Sequence, residues 1–136
     1  MTPLQKIAPF LWISLGAVLG ANLRYLVGRG MAQLLGAGFP YGTLVVNIGG
    51  SFAIGIAGSL IAARLMSRPD VVQQLFIVGF LGSLTTFSSF TYETYNLMMD
   101  GEWVRAAANV ALSLTAGLGG VALGALLAPR LGVVAP

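Results

Sequence analysis

Four long apolar runs, separated by short polar turns, dominate the pattern of hydrophobic and polar positions. Each run is long enough for a helix that crosses a hydrocarbon core, which takes ~20 mostly apolar residues. The turns contain residues that end helices, namely Pro40 before the second run, Pro69 before the third and Gly101 before the fourth. The pattern predicts an all-α membrane protein with a single transmembrane domain over residues 1–136. The four predicted helices cover roughly residues 9–28, 42–63, 71–99 and 106–128.

The composition agrees with a membrane protein, because 57% of the residues are hydrophobic and only 8% are charged. Lys6, ahead of the first run, resembles the start of a secretory signal. The run is long, however, and lacks a small-residue cleavage pattern, which favours a retained first helix. The 7 Lys and Arg residues are scattered along the chain and form no basic cluster, so nucleic acid is not expected as a partner.

Small residues recur at four-residue intervals in three of the runs, a spacing that lets two helix backbones approach closely. We expect these residues to lie at helix interfaces. They are Gly16 and Gly20 in the first run, Ser51, Gly55 and Ser59 in the second, and Ala116, Gly120, Gly124 and Ala128 in the fourth.

The basic residues that flank the predicted helices show only a small bias. Four spans put both chain ends on one side of the membrane, and that side holds four Lys and Arg residues against two on the other. Because orientation normally follows a clear bias in short flanking loops, we expect the chain to insert either way round. Two copies in opposite orientations would form an antiparallel dimer. The larger group is Lys6, Arg64, Arg68 and Arg130, and the smaller is Arg29 and Arg105.

The third run is interrupted near its middle by the segment GFLGSLTTFSSF, residues 79–90. Gly82 and its neighbours lower the helix propensity just before Thr85 and Thr86, which predicts an unwound break there. Backbone that leaves a helix at membrane depth must be buried in protein or face water. The unpaired carbonyls of such a break suit a monovalent cation, whereas its N–H groups and hydroxyls suit an anion.

Phe87 and Phe90 follow the predicted break and lie three positions apart, on one helical face. The edge of an aromatic ring is electropositive, so two rings turned edge-on would replace part of an anion's hydration shell. The alternative is packing alone, the usual role of a phenylalanine pair in a membrane helix. Glu93 continues the same face, where a carboxylate must lie near the mouth of an anion path, pair with a cation or carry a proton.

Further polar residues fall on the second and fourth predicted helices. Thr43, Asn47 and Ser51 share one helical face, as do Asn109 and Ser113. A carboxamide inside the membrane is costly unless it is hydrogen-bonded or wetted, and its NH2 group can donate to an anion. Two interpretations therefore stay open for both asparagines. They donate to a permeating anion, or they bond a neighbouring helix as structural contacts.

The sequence offers few groups for other kinds of chemistry. It has no His and no Cys and only 4 acidic residues, so it lacks a nucleophile–base pair or a metal-ligand cluster and we do not expect an enzyme. Arg24, inside the first predicted helix, either attracts anions to a vestibule or extends to the membrane interface as long basic side chains do. Neutral donors and ring edges remain, which are the groups that a small dehydrated anion needs. They predict a pore.

Three segments resemble the CrcB (Fluc) family of small bacterial fluoride channels, namely residues 16–25, 40–52 and 79–93. The resemblance implies an antiparallel, dual-topology homodimer of four-helix subunits, with two fluoride pathways between the protomers. It also implies a structural sodium ion at the dimer interface, held by the backbone carbonyls of Gly82 and Thr85. The residues that it assigns to the fluoride pathways are Arg24, Thr43, Asn47, Phe87, Phe90, Glu93, Asn109 and Ser113.

The resemblance and the polar residues together predict a passive, fluoride-selective channel that exports cytoplasmic fluoride across the bacterial inner membrane. One alternative is a proton-coupled exporter of the small multidrug-resistance type. That class carries a carboxylate in its first helix, which is absent here, so Glu93 would have to carry the proton. Another alternative is a non-transporting assembly subunit, in which every polar face is a helix contact.

Overall fold

The architecture, obtained as a computed structural model, is described for residues 3–132. Within this range it is built from helices alone, as predicted, and four helical spans are long and apolar enough to cross a membrane. The chain is therefore a multi-pass membrane protein. The helices are α1 (Pro3–Leu35), α2 (Tyr41–Ala62), α3 (69–84), α4 (Phe87–Met99) and α5 (Trp103–Gly132). Helices α3 and α4 together form the third span, Pro69–Met99.

The first helix runs further than the apolar run that predicted it. It continues past residue 28 and ends at Leu35, followed by Gly36 with a φ of 83°. That left-handed conformation is open to glycine without a steric cost and is a common helix stop. Arg29 and Gln33 interrupt the apolar pattern in these last turns, so the apolar run ended before the helix does.

The third span is broken near its middle, which confirms the prediction. Thr85 (φ −83°, ψ 155°) and Thr86 (φ −153°, ψ 118°) are extended, and these two residues are called the break below. A feature that the sequence did not predict precedes them, because α3 is π-helical over Val72–Leu81 before a last α-turn at Gly82–Leu84. Such wide helical turns are rare and accompany functional sites.

Helix α1 packs closely on α3 through the predicted glycines. A Cβ on Gly16 would overlap the carbonyl oxygen of Leu75, and one on Gly20 would overlap the carbonyl oxygen of Phe80. Ser83 adds a polar bond to this contact, since its hydroxyl donates to the Ala17 carbonyl at 3.0 Å. Because glycine has no side chain, the backbones of α1 and α3 approach closely enough for many weak dipolar and dispersion contacts to form.

Helix α2 packs on α5 in the same way. A Cβ on Gly55 would overlap the Val121 carbonyl oxygen, and one on Gly124 would overlap the Phe52 carbonyl oxygen. The predicted four-residue spacing of small residues therefore does mark helix interfaces in both pairs.

The buried core of the subunit is small. Val46, Leu81 and Leu84 form a buried cluster, with Phe76 and Phe80 packed against it. Many other large apolar side chains are exposed on the subunit surface, as expected where lipid or a further protein surface takes the place of water.

We predict that Gly55→Ala lowers the unfolding temperature of the detergent-solubilised protein, because the new methyl group would force α2 away from the Val121 carbonyl. Overpacking of this kind destabilises by about 1–3 kcal/mol. The control is Gly49→Ala on the same helix, where a Cβ meets nothing within 4 Å. It should be neutral or stabilising, since alanine is the better helix former. Equal unfolding temperatures for the two variants would contradict the close packing of α2 on α5.

Candidate functional site

A groove lies beside the break, between α2 and the third span. It has a volume of about 370 Å³, and none of its described lining residues is ionisable. We call it the central groove. Aliphatic side chains, Gly82 and Phe87 form part of its described lining, and the polar lining residues are Asn47, Ser51, Thr85 and Thr86. Sequence-predicted residues from two separate segments therefore meet at one place.

Asn47 holds the break by two reciprocal hydrogen bonds. Its Nδ2 donates to the Thr86 carbonyl at 3.1 Å, and the Thr86 N–H donates to its Oδ1 at 2.8 Å. The carboxamide thus replaces the backbone partners that an unwound residue has lost. Since an amide carries two N–H hydrogens, one donor of Asn47 remains beyond its bond to Thr86. Both interpretations offered for Asn47 are compatible with this geometry, because each amide hydrogen can serve a different partner.

The side chain of Thr86 starts α4. Its Oγ1 accepts a hydrogen bond from the Ser89 N–H at 3.2 Å and lies 3.2 Å from the Ser88 hydroxyl. This is a helix N-cap, which satisfies a backbone N–H that the helix cannot pair internally. The break is therefore closed on one side by Asn47 and on the other by the first turn of α4.

Phe87 and Phe90 form a tilted pair, with ring centroids 5.7 Å apart and planes at 46°. Their environments differ sharply, since Phe90 is 9% exposed whereas Phe87 is 76% exposed. Phe87 lines the central groove, and Phe90 packs behind it. The structure therefore brings the two rings together as predicted, with one ring on the groove and one in the protein.

Thr43 and Glu93 are also brought together. The Thr43 hydroxyl donates to Glu93 Oε1 at 2.7 Å, and Glu93 Oε2 is buried with no hydrogen-bond partner among the described residues. Glu93 lines two further cavities, of about 370 and about 190 Å³, and none of their described lining residues belongs to the central groove. The carboxylate is thus inside the span but apart from the groove.

Asn109 and Ser113, predicted as polar residues of the fourth span, lie on α5, where Asn109 is buried and Ser113 is half-buried. Asn109 is 1% exposed and donates from Nδ2 to the Thr94 hydroxyl at 2.8 Å. The Thr94 hydroxyl in turn donates to the Phe90 carbonyl at 2.7 Å. Ser113 Oγ is buried without a partner among the described residues. Sequence reasoning missed Thr94, although its position four residues after Phe90 puts it on the same helical face.

The remaining predicted residues fall into two places. Gly82, in the last turn of α3, and Thr85, in the break, both line the central groove. Arg24 is half-exposed on α1 and does not line the groove. The two ion pairs found among the described residues, Arg68–Asp70 and Arg105–Glu102, do not involve it.

Comparison with known proteins agrees with the resemblance. Residues 11–125 match the family described as CrcB-like protein, Camphor Resistance (CrcB). A relative from Roseiflexus sp. (strain RS-1) is 50% identical over 113 residues, which cover 83% of this chain and 90% of the relative. Another from Solibacter usitatus (strain Ellin6076) is 46% identical over 121 residues, which cover 89% of this chain and 98% of the relative. Both relatives are named fluoride-specific ion channel FluC. With a match of this length and identity, the chain belongs to the CrcB family.

Proposed function

We propose that the protein is a fluoride-selective channel that lets cytoplasmic fluoride leave the cell passively. The observation that carries the proposal is the central groove, whose described lining combines an amide, hydroxyls and a phenylalanine with aliphatic side chains and contains no ionisable group. Neutral donors bind a dehydrated anion without the tight hold of a fixed positive charge, so the ion can also leave. The names of the two relatives support fluoride as that anion.

The need for such a channel follows from ion trapping. HF is a weak acid that crosses lipid in its neutral form and dissociates in the cytoplasm, whereas the charged fluoride cannot return through hydrocarbon. A channel in the bacterial inner membrane would open an exit, driven by the inside-negative potential at ~2.3 kcal/mol per charge per 100 mV. No coupled energy source is then required.

The proposed route uses the neutral groups around the groove. Asn47 would donate to fluoride the second amide hydrogen of Nδ2, the one that does not bond the Thr86 carbonyl. Phe87 and Phe90 would turn electropositive ring edges toward the ion. Ser113, with a buried hydroxyl and no partner among the described residues, would add a further donor. Selectivity against the larger chloride would come from a passage that admits only a dehydrated ion and replaces its water with these donors.

The charged residues would lie at the margins of the route. Arg24 would attract fluoride to an aqueous vestibule, since its half-exposed position on α1 leaves it outside the groove. Glu93, held by the Thr43 hydroxyl, would lie near a mouth rather than in the narrow part. Asn109 would support the route from behind Phe90 through its bond to Thr94.

A second copy of the chain would complete the route. Phe87 is 76% exposed beside a groove that one subunit leaves open, and an exposed ring next to polar backbone favours a protein cover over lipid. The small charge bias across the membrane lets that copy insert in the opposite orientation. We therefore propose an antiparallel, dual-topology homodimer.

The break also fits a monovalent cation. In a continuous helix the Thr86 N–H would donate to the Gly82 carbonyl, but here it donates to Asn47 Oδ1 at 2.8 Å. This frees the Gly82 carbonyl from its helical partner, and Gly82 and Thr85 both line the groove, where their carbonyl oxygens would replace the hydration shell of a monovalent cation. We propose that these carbonyls from both copies hold a sodium ion, which would join the two breaks.

The two alternatives make different demands on the same groups. A proton-coupled exporter would need Glu93 to load and release a proton, so its transport would follow a proton gradient. An assembly subunit would need no route at all, and purified protein would then carry no ion. The channel is favoured because the groove lining is neutral and the named relatives are channels.

We predict that proteoliposomes containing the protein release fluoride under an imposed voltage without a proton gradient, while chloride stays trapped. Phe90→Ile should slow fluoride efflux by at least about tenfold, which corresponds to ~1.4 kcal/mol of added barrier. The control is Phe76→Ile, from the stacked Phe76–Phe80 pair that packs on the core and does not line the groove. Empty liposomes measure the background release of fluoride and chloride.

Three outcomes would contradict this prediction. Fluoride retention equal to that of empty liposomes would refute the channel, and equal chloride release would refute its selectivity. Undiminished efflux from both Phe87→Ile and Phe90→Ile would refute the aromatic role.

We predict that Asn47→Ala lowers both the unfolding temperature and the fluoride efflux. Removing the carboxamide leaves the N–H and the carbonyl of Thr86 without partners, and each unpaired buried group costs about 1–3 kcal/mol. Ser51→Ala, one turn along the same helix face, is the control for stability alone and should change the unfolding temperature little. Wild-type efflux from Asn47→Ala would exclude Asn47 from the route, and an unchanged unfolding temperature would show that the break does not depend on it.

Dual topology predicts that each loop lies on both sides of the membrane. The chain contains no native cysteine, so single cysteines can be introduced at Ala37, between α1 and α2, and at Ser67, between α2 and α3. In intact cells a membrane-impermeant thiol reagent should label about half of each variant, with full labelling after permeabilisation. Labelling of one loop alone would instead indicate a single orientation.

A further inference from the structure

The hydroxyl of Thr94 lies at the centre of a buried chain of hydrogen bonds. It accepts from Asn109 Nδ2 at 2.8 Å and donates to the Phe90 carbonyl at 2.7 Å. Thr94 is 8% exposed and Asn109 is 1% exposed. These hydrogen bonds therefore connect α5 to the backbone of Phe90, whose ring is the buried one of the phenylalanine pair.

A bond from a threonine hydroxyl to the carbonyl four residues earlier is common in helices and by itself has no special meaning. Thr115 on α5 makes the same bond, to the Ala111 carbonyl at 2.7 Å, but its side chain is on an exposed face. Of these two threonines, Thr94 is the one whose hydroxyl also accepts a bond from another helix, among the contacts of the described residues. This second bond turns a local contact into a connection between helices.

Helix α4 depends on such connections more than its neighbours do. It follows the extended break, so the backbone does not transmit the orientation of α3 to it. Two adjacent residues instead connect α4 to neighbouring helices. Glu93 accepts a hydrogen bond from Thr43 on α2, and Thr94 accepts one from Asn109 on α5. Successive residues of an α-helix point ~100° apart. The two bonds together therefore fix the rotation of α4 about its axis.

We infer that Thr94 is a positioning residue for Phe90. Asn109 anchors α4 through the Thr94 hydroxyl, and this sets the rotation of α4 that keeps the Phe90 ring buried while Phe87 lines the groove. The inference rests on the proposed function for its consequence, since a rotation of α4 would move both rings away from the positions that the proposed fluoride route requires. Asn109 then acts on the route through Thr94.

The test compares Thr94→Val, which keeps the shape and removes the hydroxyl, with Thr94→Ser, which keeps the hydroxyl. Thr94→Val should lower fluoride efflux from proteoliposomes about two- to tenfold, the factor that corresponds to one lost hydrogen bond. Thr94→Ser should keep near wild-type efflux. Thr115→Val, which removes the same local bond on the exposed face of α5, should leave efflux unchanged.

A double-mutant comparison separates positioning from direct binding by Asn109. If Asn109 acts through Thr94, Asn109→Val should lower efflux to the level of Thr94→Val, and the double variant should lower it no further. Efflux losses that multiply in the double variant would overturn the inference. Should Thr94→Val fail to accumulate in membranes, Asn109→Val replaces it, because it removes the same bond between α5 and α4 and should displace the Phe90 ring in the same way.

A measurement independent of transport reports the ring itself. With 4-fluorophenylalanine at position 90, the ¹⁹F resonance should shift or broaden in Thr94→Val and stay in place in Thr94→Ser and Thr115→Val. An unchanged resonance in Thr94→Val would refute the positioning role. Because the ¹⁹F measurement needs no fluoride transport, it tests the positioning role of Thr94 even if the wild-type protein carries no fluoride. Absence of fluoride transport by the wild-type protein would refute the proposed function alone.

Discussion

The structure depends on how the backbone of the break is satisfied inside the membrane. Two extended residues in the middle of a span leave an N–H and a carbonyl without helical partners, and hydrocarbon offers none in their place. Asn47 bonds both groups of Thr86, at 3.1 and 2.8 Å. With those two bonds in place, α3 can stop and α4 can begin anew, so that carbonyl oxygens and a capped helix N-terminus meet at one groove. Without them the N–H and the carbonyl of Thr86 would stay unpaired at membrane depth, where each such group costs several kcal/mol.

Two kinds of contact hold the subunit together. Helix α1 meets α3, and α2 meets α5, through glycines that let a carbonyl oxygen occupy the space of a side chain. Helix α4 is held instead by side-chain hydrogen bonds, from Thr43 to Glu93 and from Asn109 to Thr94. Close packing through glycines suits a lipid-facing scaffold, because it needs few polar side chains, and Ser83, bonded to the Ala17 carbonyl, adds a polar contact between α1 and α3. The bonds between side chains of different helices gather on α4, directly after the break, where low dielectric makes each of them stronger.

The sequence predicted the features that depend on local residue types and missed those that depend on distant partners. Glycine and hydroxyl residues in residues 79–90 indicated the break, and four-residue spacing indicated the helix interfaces. The bond of Asn47 was left open between two interpretations, because Thr86 is 39 residues away in the chain. The π-helical turns of Val72–Leu81 could not be predicted, since an apolar run packs equally well in either helical form. Thr94 was missed because its importance comes from Asn109, 15 residues later on another helix.

The separation of Glu93 from the central groove follows from electrostatics. Two like charges 4 Å apart repel by about 4 kcal/mol at the effective dielectric of ~20 that applies near a protein surface, and more at greater depth. An anion in a groove that also held an ionised carboxylate would meet that barrier on every passage. In this fold the carboxylate is bound by Thr43 and lines cavities that have no described lining residue in common with the groove. A carboxylate can therefore lie within the span while the groove itself keeps a neutral lining, which is the condition under which an anion both enters and leaves.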